Sequence, residues 1–155
     1  MRVGIGQDSH RFEGDEPLII GGVEIDHPRG FSANSDGDVV LHSLCNALAS
    51  AVGKGSISTY ADKMCKDGIA DSQEYVKKAM GFVREAGLKV GNISISIEAK
   101  EPKLEKHLPV MKEVIAGLLD IEIGQVGITA TTGEELTAFG RGEGVQVFSL
   151  IALTK

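Results

Sequence analysis

Residues 6–10 of the chain read Gly6-Gln7-Asp8-Ser9-His10 and end an N-terminal segment, residues 1–12, that predicts a β-strand. Side chains two residues apart share one face of an extended strand, so Asp8 and His10 are expected to point the same way, close enough to hold one ion. The small residues Gly4 and Gly6 predict a bulge, or a close approach of another segment, just before Asp8. A D-x-H pattern alone is common, so a metal site here requires a third ligand.

His42 is the predicted third ligand. It follows the acidic turn Ser35-Asp36-Gly37-Asp38, which predicts the start of a helix that runs to about Val52. Two histidines and one carboxylate are the ligand set of catalytic zinc, which keeps a fourth position open for substrate. Two interpretations of Asp38 stay open: it hydrogen-bonds to the free ring nitrogen of His42, or it only caps the helix. Cys45 is expected to be a small buried hydrophobe rather than a competing ligand.

The composition is that of a globular protein. With 155 residues, of which 42% are hydrophobic and 25% charged, residues 1–155 are expected to form a single domain with a buried core. A formal net charge of −6 argues against a nucleic-acid partner but allows a local basic pocket. No long apolar run and no secretory pattern is present, so we expect no membrane span and a cytoplasmic location. Cys45 and Cys65 are expected to be free thiols.

The remaining segments alternate between strands and helices. Turn, capping and periodicity signals predict a hairpin at 18–25, helices at 72–86 and from Pro109 onward, and strands at 93–97, 126–130 and 145–153. Residues 53–71 show no sustained period and are expected to form a long loop that acts as a lid or a binding loop. The fold class predicted from this order is α+β, with a mixed β-sheet covered by helices.

A second candidate site follows the strand at 126–130. Thr131-Thr132-Gly133-Glu134 offers hydroxyl groups and backbone N–H groups to phosphate oxygens, and the Glu134 carboxylate suits a Mg²⁺ ion shared with those phosphates. Lys103, at a strand-to-helix junction, adds a cation. Gly140-Arg141-Gly142-Glu143-Gly144 is interpreted as a turn that holds an Arg–Glu ion pair. An open zinc site beside a phosphate site suggests phosphoryl chemistry, in which positioning and charge neutralisation dominate.

Six spaced motifs resemble those of the 2-C-methyl-D-erythritol 2,4-cyclodiphosphate synthase family, and they cover the whole chain in order. The motifs are Arg2-x-Gly4-x-Gly6-x-Asp8-x-His10, Ile20-Gly21-Gly22-Val23, Ser35-Asp36-Gly37-Asp38-x3-His42, Ala99-x2-Pro102-Lys103, Ala130-Thr131-Thr132 and Gly140-Arg141-Gly142-Glu143-Gly144. The resemblance implies a homotrimer that packs sheet to sheet around a threefold axis, with active sites between subunits. It also implies the family's reaction in the non-mevalonate isoprenoid pathway, in which a cytidine diphosphate substrate cyclises and releases CMP.

The resemblance further implies the roles of individual residues. Zn²⁺ is expected on Asp8, His10 and His42, and Mg²⁺ or Mn²⁺ on Glu134. The residues implied in catalysis are Thr132, Glu134 and Asp38. Ser35 and Ser72 match positions near the erythritol moiety, and Arg141 and Glu143 match positions at the trimer axis. The full set of implied substrate-binding positions is Asp8, His10, Asn34, Ser35, Ser56, Ile57, Ser58, Asp62, Ser72, Ala99, Pro102, Lys103, Leu104, Ala130, Thr131, Thr132 and Arg141.

The chain departs from the family pattern at its nucleotide end. Asn34 replaces a His that is common in the family, Asn46 replaces an Asp, and Ser56 replaces an acidic residue that binds the ribose. Tyr60-Ala61-Asp62 occupies the place of the family's Phe-Pro-Asp. These changes motivate an alternative, a non-catalytic trimeric relative that binds a phosphorylated metabolite or an isoprenoid diphosphate. A metal-dependent hydrolase shares the ligand set, but it requires a general base beside the zinc, and the sequence identifies none.

Overall fold

A computed structural model describes all 155 residues, Met1–Lys155. The elements in chain order are β1 (Arg2–Arg11), β2 (Leu18–Ile20), β3 (Val23–Ile25), α1 (Val39–Ala51), α2 (Ser58–Lys66), α3 (Ser72–Glu85), β4 (Lys89–Glu98), α4 (Leu108–Leu119), β5 (Val126–Thr131) and β6 (Gly144–Thr154). Short 3₁₀ turns flank β5 at Ile123–Gln125 and Gly133–Glu135. None of the helices has the length and apolar character that crossing a bilayer requires.

The main sheet is mixed, as the sequence predicts, and its strand order is β1-β6-β4-β5. Only β4 and β5 run parallel; the β1–β6 and β4–β6 pairs are antiparallel. The strands bury alternate residues, such as Ile93, Ile95 and Ile97 of β4, on the face that the helices cover, where α1 packs on β1 and β6 and α4 packs on β5. The hairpin predicted at 18–25 is confirmed as β2 and β3, which pair with each other. The α+β fold class is therefore correct.

The other face of the sheet carries apolar side chains that nothing in the chain covers. Ile5 of β1 is 59% exposed, and Phe148 and Leu150 of β6 are 44% and 49% exposed. Their strand neighbours on this face include Ser94 and Thr129, which are also exposed. Helices therefore cover one face of the sheet only, and the expectation of a sheet covered by helices holds for that face.

Two glycines bring α1 unusually close to β1. A Cβ on Gly6 would overlap the backbone carbonyl oxygen of Ser43, and a Cβ on Gly4 would overlap that of Ala47. The pairing of β1 with β6 is continuous from Arg2 to Arg11, so the predicted close approach is present and the alternative, a bulge, is not. This contact sets how near the start of α1 lies to the end of β1.

The helix ends largely follow the predicted signals. The Asp71 carboxylate accepts a hydrogen bond from the N–H of Gln73 at 2.8 Å and so caps α3, whereas Glu74 pairs with Lys77 instead of completing a capping box. Gly87 follows α3 with φ of 68°, a left-handed conformation that suits glycine at a helix end. Pro109 lies in the first turn of α4, as expected.

The prediction of a continuous loop at 53–71 is wrong, because residues 58–66 form α2. This helix has no side-chain cap, and its first residues are short or β-branched, so the local sequence gives little sign of it. Burial of Tyr60 and Ala61 against the core stabilises it. The carboxamide of Asn46 also accepts a hydrogen bond from the N–H of Ile57 at 2.8 Å and donates one to the carbonyl of Gln7 at 3.2 Å.

Candidate active site

The three predicted metal ligands converge where β1 meets α1. Asp8 and His10 lie on the inner face of β1, His42 lies on the first turns of α1, and their ligand atoms are all within 4.8 Å of one another. The Asp8 Oδ2 atom is 2.9 Å from His10 Nε2 and 3.2 Å from His42 Nδ1. The ring of His10 is further held by an edge-on contact with Phe31, at 5.4 Å between centroids. The expected proximity of the three side chains is confirmed.

The Asp8 carboxylate at the centre of this cluster is held in its ionised form. Burial alone would raise the pKa of the Asp8 carboxyl, but its close contacts with the imidazoles of His10 and His42 hold the pKa well below its usual range. The Nδ1 atom of His10 is buried and makes no hydrogen bond, so the hydrogen bonding of that ring is directed to Asp8 alone. One carboxylate oxygen and two imidazole nitrogens are the donors that zinc prefers, and the residues therefore fit a zinc ion.

Asp38 does not contact the ring of His42, so the interpretation of Asp38 as its hydrogen-bond partner is wrong. Its carboxylate folds back over its own helix and accepts from the N–H groups of Val40 and Leu41 at 3.1 and 3.0 Å. It also accepts from Gly21 at 2.9 Å and Gly22 at 2.6 Å in the β2–β3 turn. Burial raises the pKa of Asp38 to about 6, although the hydrogen bonds from Leu41, Gly22 and Gly21 act to lower it. Asp38 thus caps α1 and ties the hairpin to it.

The ring nitrogen of His42 that faces away from Asp8 meets Ser72 instead. His42 Nε2 is 2.8 Å from the Ser72 Oγ atom, at the start of α3. The Oγ atom of Ser35 lies farther away, at 3.4 Å from the same nitrogen, and also accepts from the N–H of Gly37 at 3.2 Å. Ser72 is completely buried, so it lies behind the imidazole rather than on the open side of the site.

The three predicted metal ligands line a cavity of about 250 Å³, called the metal cavity, between β1, the start of α1 and α2. Five further residues that the sequence predicts for substrate binding line it, namely Asn34, Ser35, Ile57, Ser58 and Asp62. Sequence reasoning did not identify five others, which are Ser32, Ala33, Ala61, Cys65 and Tyr75. Ala61 and Cys65 belong to α2, and only recognition of that helix would have indicated which of its side chains face inward.

Two of the predicted residues near this cavity are held by local contacts. The Cys65 thiol donates to the Asn34 carbonyl oxygen at 3.0 Å, which links α2 to the loop ahead of α1. Ser56 is exposed outside the cavity, with its Oγ atom 3.0 Å from that of Ser58. Both cysteines are free, as expected, and Cys45 is buried in the core.

The residues predicted for phosphate and nucleotide binding form a second, separate cluster. They surround a cleft of only about 20 Å³ between the ends of β4 and β5 and the loop before α4. Its lining is Ala99, Pro102, Lys103, Leu104, Glu105, Ala130, Thr131 and Thr132. No residue is common to this cleft and the metal cavity, so one chain does not join the two clusters into a single pocket.

Glu134 lies at the rim of the second cluster in a strained turn. Gly133, Glu134 and Glu135 have φ values of 74°, 50° and 61°, so two consecutive residues with side chains adopt the left-handed conformation. Such backbone costs about 1–3 kcal/mol per residue and is concentrated at functional sites. The Thr132 hydroxyl is 3.4 Å from the Glu134 carboxylate. The turn therefore presents a carboxylate and a hydroxyl together at the end of β5.

The Gly140–Gly144 turn contains the predicted ion pair. Arg141 Nε lies 3.2 Å from Glu143 Oε1, and both side chains are about half exposed. An exposed pair of this kind stabilises a fold by at most about 1 kcal/mol. Neither residue lines the metal cavity or the cleft at Thr132.

The chain is a small α+β protein with a mixed sheet, in which two imidazoles and a carboxylate converge beside the first helix and form a candidate metal site at an open cavity. Comparison with known sequences identifies the family. The profile of the YgbB family matches residues 1–154, and the chain belongs to this family.

Individual relatives agree over nearly the full length. The 2-C-methyl-D-erythritol 2,4-cyclodiphosphate synthase of Chlamydia trachomatis serovar L2 is 47% identical, across 98% of this chain and 87% of that protein. The bifunctional IspDF of Campylobacter jejuni superposes with a TM-score of 0.91 at 40% identity, covering 98% of this chain but only 42% of that longer one. A CDP-bound structure of 2C-methyl-D-erythritol-2,4-cyclodiphosphate synthase gives a TM-score of 0.89 at 32% identity, covering 99% and 100% of the two chains.

Proposed function

We propose that the protein is a cyclodiphosphate synthase of the non-mevalonate isoprenoid pathway. It converts 4-diphosphocytidyl-2-C-methyl-D-erythritol 2-phosphate to 2-C-methyl-D-erythritol 2,4-cyclodiphosphate and CMP, the reaction of a metal-dependent phosphorus–oxygen lyase. An oxygen of the 2-phosphate bonds to the β-phosphorus, and the bond from that phosphorus to the bridging oxygen breaks, so that CMP leaves. The observation that carries this proposal is the convergence of Asp8, His10 and His42 in a chain whose relatives share this name across its length.

The metal roles follow from the donor atoms at each cluster. Asp8, His10 and His42 would hold Zn²⁺, and Glu134 would hold Mg²⁺ or Mn²⁺ through hard carboxylate oxygens. When bound, these ions would polarise phosphate oxygens and neutralise the charge that develops on them. The Thr132 hydroxyl would contact phosphate. Asp38 would act by fixing the first turn of α1, which carries His42.

The remaining residues divide between the two ends of the substrate. Ser35 lines the metal cavity and would contact the erythritol end, and Asn34, Ile57, Ser58 and Asp62 line the same cavity and would contact the substrate there. The cleft lined by Ala99, Pro102, Lys103, Leu104, Ala130 and Thr131 would hold the cytidine end. Ser56, beside Ser58, would contribute a hydroxyl rather than a carboxylate to ribose binding, and Arg141 would contribute beside the trimer axis.

We further propose a homotrimer, in which residues 1–155 form one domain per subunit and active sites lie between subunits. Two observations support it: the uncovered apolar sheet face, and the separation of the metal cavity from the nucleotide cleft within one chain. A neighbouring subunit that packs on this sheet face would bring its own cleft toward the metal cavity. Each active site would then need residues from two chains.

Phe148→Glu is expected to reduce the trimer to smaller species, because it places a charge in the centre of a buried apolar contact, which costs several kcal/mol when unpaired. Light scattering after size-exclusion chromatography measures the mass. The matched control is Ile123→Glu, since Ile123 is similarly exposed at 50% but lies in the turn before β5, away from this face. A Phe148→Glu protein with the mass of the wild-type trimer would contradict the proposed interface.

The direct test of the reaction is product formation. Purified protein loaded with Zn²⁺ and Mg²⁺ and given the diphosphocytidyl substrate is expected to form CMP and the cyclic diphosphate in equal amounts. Chelation of both metals is expected to stop product formation. Phosphorus NMR distinguishes the cyclic product from a linear one, and CMP no higher than in a protein-free control would refute the proposal.

Other outcomes of the same assay identify the alternatives. Binding of CDP or an isoprenoid diphosphate without turnover would favour a non-catalytic relative, which the changes at Asn34, Ser56 and Tyr60-Ala61-Asp62 motivate. A linear diphosphate would favour a hydrolase, although no acidic or imidazole side chain beyond the metal ligands and Asp62 lines the cavity. The cytoplasmic location stays a prediction from the sequence, as does the absence of a nucleic-acid partner.

A further inference from the structure

A series of polar contacts lies behind His42, on the side away from the metal cavity. The Nε2 atom of His42 contacts Ser72 Oγ at 2.8 Å, and the same hydroxyl makes a short hydrogen bond to Asp36 Oδ1. Asp36 also accepts from the backbone N–H of Ser72 at 2.9 Å and from that of Asp38 at 3.1 Å. The contacts therefore join the turn before α1, the first residue of α3 and the imidazole.

The donor and acceptor roles in this series of hydrogen bonds follow from Asp36, the residue at its far end. The Ser72 hydroxyl has one proton, and it donates that proton to Asp36 Oδ1. The Ser72 oxygen is then left to accept, and the N–H that it accepts from is His42 Nε2–H. A neutral imidazole with its proton on Nε2 has a free lone pair on Nδ1. Nδ1 is the atom that faces Asp8 Oδ2 at 3.2 Å, on the metal side.

We propose that Ser72 and Asp36 are positioning residues that select the Nε2–H tautomer of His42 and fix the ring so that Nδ1 binds the metal. The proposal rests on the zinc site of the proposed function. Metal-bound imidazoles usually donate their second N–H to an oxygen acceptor, and loss of that acceptor weakens metal binding by about 10–100-fold. Here the acceptor is a hydroxyl whose own proton is committed to a carboxylate.

Neighbouring groups do not offer the same contact. Ser35 Oγ is 3.4 Å from His42 Nε2, beyond the usual range for a strong hydrogen bond, and it already accepts from Gly37. The ring of Tyr75 lies 6.2 Å from that of His42 and its hydroxyl donates to the Ile69 carbonyl. Ser72 is fully buried and does not line the metal cavity, which separates this role from contact with the erythritol moiety.

The test is zinc affinity in the absence of substrate, measured by competition with a chromophoric chelator. Ser72→Ala is expected to weaken zinc binding by about 10–100-fold relative to the wild type. Asp36→Asn is expected to weaken zinc binding as well. The double variant is expected to bind zinc only slightly more weakly than whichever single variant has the lower affinity, because both residues act through one contact. The matched control is Ser43→Ala. It removes the hydroxyl of another buried serine, which follows His42 in the sequence, and the zinc affinity should stay within about twofold of the wild type.

The outcomes separate this inference from the site on which it rests. If the wild type binds zinc and Ser72→Ala binds it with the same affinity, the positioning role is overturned and the metal site stands. A wild-type protein that binds no zinc overturns both. If Ser72→Ala does not fold, nitrogen NMR of the zinc-loaded wild type decides: a His42 Nε2–H proton that exchanges slowly and lies close to Ser72 supports the proposal, and a rapidly exchanging one overturns it.

Discussion

His42→Ala is expected to abolish stoichiometric zinc binding and to lower the rate of CMP formation by about 1,000-fold or more. The variant removes one of three ligands, and Asp8 and His10 alone leave a site with too few donors to hold the ion. A metal that stabilises phosphate charge contributes several kcal/mol to the transition state, and about 4 kcal/mol corresponds to a factor of about 1,000 in rate. Metal analysis after gel filtration and a single-turnover assay measure the two effects.

His107→Ala is the control for His42→Ala, since it removes an imidazole at the start of α4, outside the metal cavity. It should retain one zinc ion per chain. Full zinc content in the His42→Ala protein would show that the ligand set is wrong, whatever its activity.

Gly6→Ala is expected to destabilise the fold by about 3 kcal/mol, at the upper end of the range for overpacked sites. The added methyl group would overlap two backbone atoms of α1, the Ser43 carbonyl oxygen and the Ala47 nitrogen, and backbone cannot rotate away as a side chain can. The helix must therefore move from β1, which separates His42 from Asp8. Denaturant unfolding should show the loss of stability, and chelator competition should show weaker zinc binding.

Gly81→Ala is the matched control for this substitution. Gly81 lies in the middle of α3 with open space around the position of a Cβ, so alanine there should stabilise the protein by about 0.5–1 kcal/mol through helix propensity. An unfolding midpoint for Gly6→Ala equal to that of the wild type would mean that the close contact between α1 and β1 is not required.

Periodic patterns allowed much of this fold to be predicted. The alternation of Ile93, Ile95 and Ile97 predicts β4, and the spacing of Asp8 and His10 predicts their common face because both depend only on local backbone geometry. The capping signal at Asp38 is local in the same way. The sequence could therefore indicate the fold class and the three predicted metal ligands, whose side chains the structure brings together.

What could not be predicted depends on contacts between distant segments. The helix α2 is stabilised by packing of Tyr60 and Ala61 rather than by its own sequence, so propensity alone suggests a loop. The partner of His42 is Ser72, thirty residues away, rather than the nearby Asp38. Only the packing of α3 against α1 reveals that contact, and an acidic residue at helical spacing was the misleading signal.

The proposed metal ligands belong to two elements that only the folded chain brings together, and a metal bound there would link metal supply to the persistence of the protein itself. A metal ion that bridges Asp8 and His42 cross-links β1 to α1, and the unfolded chain offers no such bridge. Free metal at about 100 times its dissociation constant would add about 2.7 kcal/mol to the free energy of unfolding. If the proposed zinc site is occupied in the cell, a shortage of zinc is expected to expose the protein to proteolysis as well as to inactivate it, and the abundance of the chain would report on the metal available to it.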